Sequence, residues 1–183
     1  MKIFMVRHGQ TNSNVAKIIM GQRVDEPLND EGRSQAQKLS ASLRGVPFDV
    51  IFSSPLKRAA ETAAIIADGG ATHIVLHDAL KERDFGSLSG KSWDEADALT
   101  ESEPGDLKSV DRHLDYDYRP YGGESAEDVK KRLQKFVSDI KTKYSDKRIL
   151  IVAHAGILRF SHALFHDTKV DHIRNATIEE FDV

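Results

Sequence analysis

Four short apolar runs punctuate the chain: Ile3-Phe4-Met5-Val6, Val50-Ile51-Phe52, Ile74-Val75-Leu76 and Ile149-Leu150-Ile151-Val152-Ala153. They are mostly continuous, not alternating, and rich in β-branched residues. A strand covered on both faces reads this way, because no position has to meet water. The more polar stretch from Asn175 to Phe181 fits an edge strand.

Between these runs the apolar residues recur at helical spacing. Asn29 is placed as an N-cap, Asp30 and Glu31 follow in the positive first turn, and Gly45 lies near the end. Ala36, Leu39 and Leu43 then share a face. Ser54-Pro55 offers a cap with Pro at the first helical position, followed by Ala59, Ala63, Ile66 and Ala67, with Gly69-Gly70 as the stop. Ser125 and Asp128 resemble a capping box ahead of the stripe Val129, Leu133, Phe136, Val137 and Ile140. A further helix is predicted over about 156–166. Strands alternating with helices predict an α/β fold, a three-layer α/β/α sandwich around a mostly parallel sheet, in one domain spanning 1–183.

Residues of about 84–124 break the alternation. They are polar and carry Trp93, Tyr116, Tyr118 and Tyr121. An insertion of this length in a compact domain is usually functional, so a lid or specificity segment is expected there.

Composition narrows the possibilities. With 39% hydrophobic and 30% charged residues, the 183-residue chain can bury a core and stay soluble. Its formal charge of -3 gives no support to bulk attraction for nucleic acid or anionic membrane. The absence of cysteine removes disulfides, thiolate catalysis and Cys-ligated metal centres. No apolar stretch reaches membrane-spanning length, and the N-terminal run is interrupted by Arg7 and His8, so a cytoplasmic protein is expected.

In open parallel sheets, ligands bind beyond the carboxyl ends of the strands. Arg7-His8-Gly9-Gln10-Thr11 follows the first run, Ser53-Ser54-Pro55-Leu56-Lys57-Arg58 the second, Lys81-Glu82-Arg83 the third and His154-Ala155-Gly156 the fourth. Two histidines, two arginines and a glutamate therefore converge on one sheet edge. The set suits a phosphate monoester. Arginine forks match phosphate oxygens and stay charged. One such pair at ~4 Å and an effective dielectric near 20 interacts by about 4 kcal/mol before desolvation. A neutral imidazole can attack phosphorus, a carboxylic acid can protonate the departing oxygen, and a second histidine can donate to the equatorial oxygens. Taken singly, each residue has a bland reading as surface or structure; their convergence does not.

At these residues the chain resembles the histidine phosphatase superfamily, the phosphoglycerate mutase-like proteins. Arg7-His8-Gly9 with Thr11 and Asn14 is similar to its signature. Leu28-Asn29-Asp30-Glu31-Gly32, Ser53 to Ala59 with Thr62-Ala63, and Leu80-Lys81-Glu82 with Phe85-Gly86 and Gly90 resemble its next motifs. Gly122-Gly123-Glu124-Ser125 and Val152-Ala153-His154-Ala155-Gly156 resemble the later ones. The resemblance implies catalysis without metal or other cofactor, through a phosphohistidine. It implies His8 as nucleophile, Arg7, Arg58 and His154 as phosphoryl-binding residues, Asn14 as an extra phosphate contact, and Glu82 as proton donor and then base. For that last role Glu82 needs a raised pKa, which a bound dianion favours and the arginines oppose.

The expected partner is a small phosphorylated metabolite; the oligomeric state is not legible. The family's mutases are longer, with larger insertions and a closing tail, so a phosphomonoesterase is preferred over a mutase. A non-catalytic binding module and a protein phosphatase are the other readings. Lys91, Lys108, Arg112 and Arg119 in the insertion could meet a substrate, but Asp94, Glu95, Asp97, Glu101, Glu103 and Asp106 are as plentiful, so no substrate charge is specified. His162 and His166, four apart on a predicted helix, are not expected to bind metal.

Overall fold

The computed structural model describes residues 1–67, 73–100 and 106–183. Five strands form one sheet: β1 (Lys2–Arg7), β2 (Val50–Ser53), β3 (His73–Leu76), β4 (Ile149–Ala153) and β5 (Ile178–Asp182). Their spatial order is β3-β2-β4-β1-β5. The first four run parallel and β5 pairs antiparallel with β1, Ile3 facing Phe181. This is the predicted α/β sandwich with a mostly parallel sheet, and its edge strand runs antiparallel.

The continuous apolar runs are explained by two cores. Ile3 and Met5, with Ile149 and Ile151, face one side, against Leu133, Phe136 and Ile140 of helix α6 (Ala126–Lys143) and Ile157 of helix α7 (Ala155–Ser161). Val6, Ile51, Leu150 and Val152 face the other, against Leu39 of helix α2 (Asp30–Ser42) and Ala59, Ala63 and Ile66 of helix α3 (Lys57–Ala67). Side chains of a strand alternate between faces, so a strand apolar at every position requires a layer on each.

The caps follow the sequence with one exception. Asn29 accepts from Gly32 N at 2.8 Å, and Ser125 with Asp128 completes a capping box. Helix α3, however, starts at Lys57 and not at Pro55. The Ser54 hydroxyl lies 2.8 Å from His154 Nε2, and the Asp25 carboxylate takes the Lys57 amide at 2.7 Å. Ser54 is thereby tied into the strand-end cluster, and the cap comes from a distant loop. Gly69-Gly70 lie outside the described residues. The predicted helix over 156–166 divides into α7 and a π-turn from His162 to His166. There His162 contacts Glu179, and His166 stacks on Phe181 with ring centroids 4.9 Å apart.

Among its described residues the segment from 84 to 124 holds helices α4 (Trp93–Asp97) and α5 (Asp106–Arg112) with two single 3-10 turns. Tyr116 and Tyr118 stack at 4.7 Å and are buried, so they anchor the segment to the core and are not displayed to a ligand. Among the described residues no helix is long and apolar enough to cross a membrane.

Candidate active site

A cleft of about 230 Å³ opens beyond the carboxyl ends of β1 and β4. Arg7, His8, Asn14, Arg58 and Glu82 line it, and the His154 ring stands 5.1 Å from that of His8. All six residues singled out from the sequence are thus brought together.

His8 follows β1 directly and is buried. Its Nδ1 lies 2.7 Å from the Gly9 carbonyl. A carbonyl only accepts, so Nδ1 carries the proton and Nε2 keeps its lone pair. Burial, followed by the charges of Arg58, His154 and Arg7, pushes its pKa well below the ordinary value. The imidazole is neutral, the form a nucleophile requires. The Gly9 amide donates to Thr62 Oγ1 at 3.1 Å, and that hydroxyl donates to the Arg58 carbonyl at 2.7 Å, which locks the β1 end to α3.

His154 is fully buried. The Ser54 hydroxyl accepts from Leu56 N at 3.3 Å and lies 2.8 Å from His154 Nε2, to which it can donate its own proton. In that tautomer His154 Nδ1 holds the ring proton, and Nδ1 is a buried atom without a partner among the described residues. Burial and then Arg58 lower the His154 pKa well below its usual value. A neutral ring with an unengaged N–H is a donor waiting for an acceptor.

The arginines are oriented by backbone oxygens. Arg58 donates to Gly21 O at 2.8 Å and Val24 O at 3.1 Å, and Arg7 donates to Ile173 O. Neither has a carboxylate ion pair, and the Nε of each is buried and unpartnered among the described residues. Burial is the largest influence on both; Arg7 is brought down to about 10 despite the pull of Glu82. Two desolvated, incompletely satisfied guanidinium groups form a site for an anion.

Asn14, at the third position of helix α1 (Asn12–Ala16), completes a capping box with Thr11. Its Oδ1 accepts from Thr11 N at 3.1 Å and from Asn175 Nδ2 at 3.2 Å, so its amide nitrogen faces away from both, on the cleft wall. Asn175 also donates to the His8 carbonyl at 3.0 Å. It was predicted as the start of the edge strand, but the strand begins at Ile178 and Asn175 supports the site instead.

Glu82 is a carboxylate in this state. Its Oε1 accepts from Arg83 N at 3.0 Å and pairs with Arg83 Nη1 at 2.9 Å, while Oε2 accepts from Gly156 N at 3.1 Å. Burial alone would raise its pKa, but Arg83, the two amides and Arg58 outweigh burial and hold it at about 2. The balance left open by the sequence falls to the arginines before any ligand binds. A Cβ at Gly156 would overlap Arg83 Nη1 and Glu82 Oε1, so any side chain there would displace this pair. The first turn of α7 therefore serves Glu82 with an amide.

The sequence reading missed the other half of this pair. Arg83 is buried and also binds Asp111 of α5 through Nε and Nη2. Asp111 accepts from Tyr118 Oη at 3.1 Å and stands 3.5 Å from Arg159 Nη1. Arg159, from α7, lines the cleft. A lone charged residue within the apolar run of α7 was the signal that could have found it.

The chain is similar to known proteins along nearly its whole length. The sequence profile of the histidine phosphatase superfamily (branch 1) matches residues 3–183. Phosphoglycerate mutase-like protein 4 of Arabidopsis thaliana is 33% identical over 98% of this chain and 78% of its own length. A broad-specificity phosphatase of Saccharomyces cerevisiae is 33% identical over 87% of this chain and 67% of its own. A mycobacterial glucosyl-3-phosphoglycerate phosphatase solved with VO3 superposes with a TM-score of 0.85 at 26% identity, covering 98% of this chain and 90% of that one. On the extent of the profile match, supported by relatives along nearly the whole chain, this protein belongs to the histidine phosphatase superfamily.

Proposed function

We propose that the protein is a metal-independent phosphomonoesterase acting through a phosphohistidine on a small phosphorylated metabolite. The observation that carries the reading is the state of His8: neutral, its Nδ1 tied to the Gly9 carbonyl, its Nε2 free at the inner end of a cleft walled by Arg7 and Arg58.

In the first step Nε2 of His8 forms a bond to phosphorus as the bond from phosphorus to the alkoxy oxygen breaks. Arg7, Arg58 and the Nδ1–H of His154 bind the equatorial oxygens, with the Asn14 amide adding a contact. The leaving alkoxide takes a proton from Glu82. In the second step Glu82 accepts a proton from water, the water oxygen attacks phosphorus, and the N–P bond breaks to restore His8 and release phosphate.

Glu82 must be protonated to begin this cycle. A dianion between Arg7 and Arg58 offsets the cations that hold the carboxylate ionised, so substrate binding itself drives proton uptake. Relatives of this chain carry phosphatase names and mutase names alike, and the two reactions differ in whether water or a second alcohol takes the phosphoryl group.

The test has two arms. Wild-type protein given an aryl phosphate should release phosphate and, on rapid quench, carry an acid-labile label that His8→Ala lacks. With 3-phosphoglycerate and its bisphosphate primer, isomerisation should be slow against phosphate release. Fast isomerisation with negligible phosphate release would replace the hydrolase reading with a mutase, and no label and no turnover of any monoester would leave a binding module.

A further inference from the structure

The residues just ahead of β5, 173–177, are bound to the end of β1 and to the turn after it. The Ile173 carbonyl accepts from Arg7 Nη1. The Asn175 side chain donates through Nδ2 to the His8 carbonyl at 3.0 Å and to Asn14 Oδ1 at 3.2 Å. The Ala176 amide donates to the Arg7 carbonyl at 3.0 Å and to the His8 carbonyl at 3.3 Å, and the Arg7 amide donates to Thr177 O at 3.2 Å. One short strap thus reaches Arg7, His8 and Asn14, three of the residues around the phosphoryl end of the cleft.

Ala176 and Thr177 together stand opposite Arg7, which makes a β-bulge. Its first residue, Ala176, has φ 51°, in the left-handed region that a residue with a Cβ rarely occupies. Strain of this kind persists where surrounding contacts hold it, and a bulge beside a site re-aims a neighbouring side chain. Here the side chain is that of Asn175, turned toward the His8 carbonyl.

The polarity of these contacts is fully determined. A carbonyl only accepts, so the His8 carbonyl must meet the NH2 end of the Asn175 amide. That end has two protons, and His8 O and Asn14 Oδ1 take both. Asn14 Oδ1 also accepts from Thr11 N at 3.1 Å, a group that only donates. A reversed Asn14 amide would set its own NH2 against two donors. Its Nδ2 is therefore kept off both partners, on a residue that lines the cleft.

We propose that Asn175 is a positioning residue: anchored on the backbone carbonyl of His8, it fixes the Asn14 amide as a hydrogen-bond donor to the bound oxyanion. The relay supplies an uncharged donor aligned before the ligand arrives. Such a donor counts most when negative charge builds on the oxygens around phosphorus. The proposal deepens the phosphomonoesterase reading and rests on it for where the oxyanion sits, but its test reads binding and needs no turnover.

The experiment measures calorimetric binding of inorganic phosphate and of orthovanadate, which can take the His8 ring as a fifth ligand. Wild type, Asn175→Ala, Asn14→Ala and the double variant are compared. Asn175→Ala should weaken phosphate about threefold and vanadate about tenfold. Because Asn175 acts through Asn14, adding Asn175→Ala to Asn14→Ala should cost no more than about a further twofold in vanadate affinity. Asn175→Ser, which keeps one donor, should fall between wild type and Asn175→Ala, and it replaces the alanine variant in the cycle if that variant does not fold. In the wild type the side-chain amide resonance of Asn14 should move on addition of phosphate, and Asn175→Ala should diminish that movement, a change that lost stability alone does not produce. Full additivity of the two substitutions, or an Asn14 resonance indifferent to phosphate in the wild type, would overturn the assignment even if monoesters are hydrolysed. If no monoester is turned over while the binding losses appear as stated, the hydrolase reading falls and the role of Asn175 stands.

Discussion

The two walls of the cleft are held by different means. The inner wall, made from the ends of β1 and β4 and the start of α3, is positioned by backbone. His8 leans on the Gly9 carbonyl, Arg58 on Gly21 and Val24, and Thr62 ties β1 to α3. The outer wall, made from the insertion, is positioned by side-chain charge. Arg83 bridges Glu82 and Asp111, and Glu124 binds Arg132 at 2.9 Å while accepting the Asp84 amide at 2.9 Å. Strand ends place a reacting group wherever the sheet forms. Ion pairs place one only while both partners stay. The difference suggests that the inner wall fixes the reaction and the outer wall tunes and selects.

The sharpest challenge to that division is Glu82, which touches both walls. Glu82→Gln keeps the shape but cannot supply a proton. Turnover of alkyl monoesters should fall by about 10²-fold or more, and that of aryl monoesters much less, because a good leaving group needs little protonation. Steady-state rates on 4-nitrophenyl phosphate and a primary alkyl phosphate check this; equal losses on both would remove Glu82 from the acid role.

Asp111→Asn tests the outer wall by itself. Removing one partner of a buried ion pair typically costs about 3–5 kcal/mol. Urea denaturation should show a loss of that order, whereas breaking the exposed Arg119–Asp117 pair should change the midpoint little. The Arg83 charge would then fall on Glu82 alone, so alkyl monoesters should suffer more than aryl ones in the folded variant. A loss confined to stability would limit Asp111 to holding the insertion.

The inner wall has a pH signature. His8 and His154 both have pKa values depressed by burial, so the unfolded chain binds protons that the native state refuses. Stability from these groups is intact above the ordinary histidine value of 6.5 and is lost as pH falls below it. With about 1.4 kcal/mol per pH unit for each proton, the two together give a slope of up to about 2.7 kcal/mol per unit. Denaturation midpoints at pH 7.5, 6.5 and 5.5 should fall accordingly, and less steeply in His8→Asn.

The smallest expected effect belongs to Ser54→Ala. Loss of the hydroxyl frees His154 Nε2 to hold the ring proton, turning Nδ1 into an acceptor. Nitrogen shifts of the His154 ring should report the change of tautomer, with a drop in turnover of about tenfold. An unchanged spectrum would mean that Ser54 does not set the tautomer.

The inner wall was legible in the sequence because it follows from patterning. Apolar runs located the strands, and the residue after each run was bound to reach the carboxyl edge. The outer wall was not. Arg83 meets Asp111 only after the insertion folds back, and nothing local to either residue announces the pairing. The misplaced α3 start has a similar cause: Ser54-Pro55 has the local chemistry of a helix entry, but a histidine 100 residues away claims the hydroxyl. Tyr116 and Tyr118 belong to a segment expected from the sequence to be a lid, yet their buried, stacked rings are its foundation. In each case a contact distant in sequence overrode a local preference.

The Arg83–Asp111 bridge also constrains how such a scaffold could be re-engineered. A chimera that exchanges the 84–124 segment for another would strip a buried guanidinium of one of its two counter-ions unless the donor segment brings an acid to the same spot. Grafted loops that keep this single carboxylate should yield soluble hybrids free to differ elsewhere, whereas those without it should misfold however well their remaining contacts match.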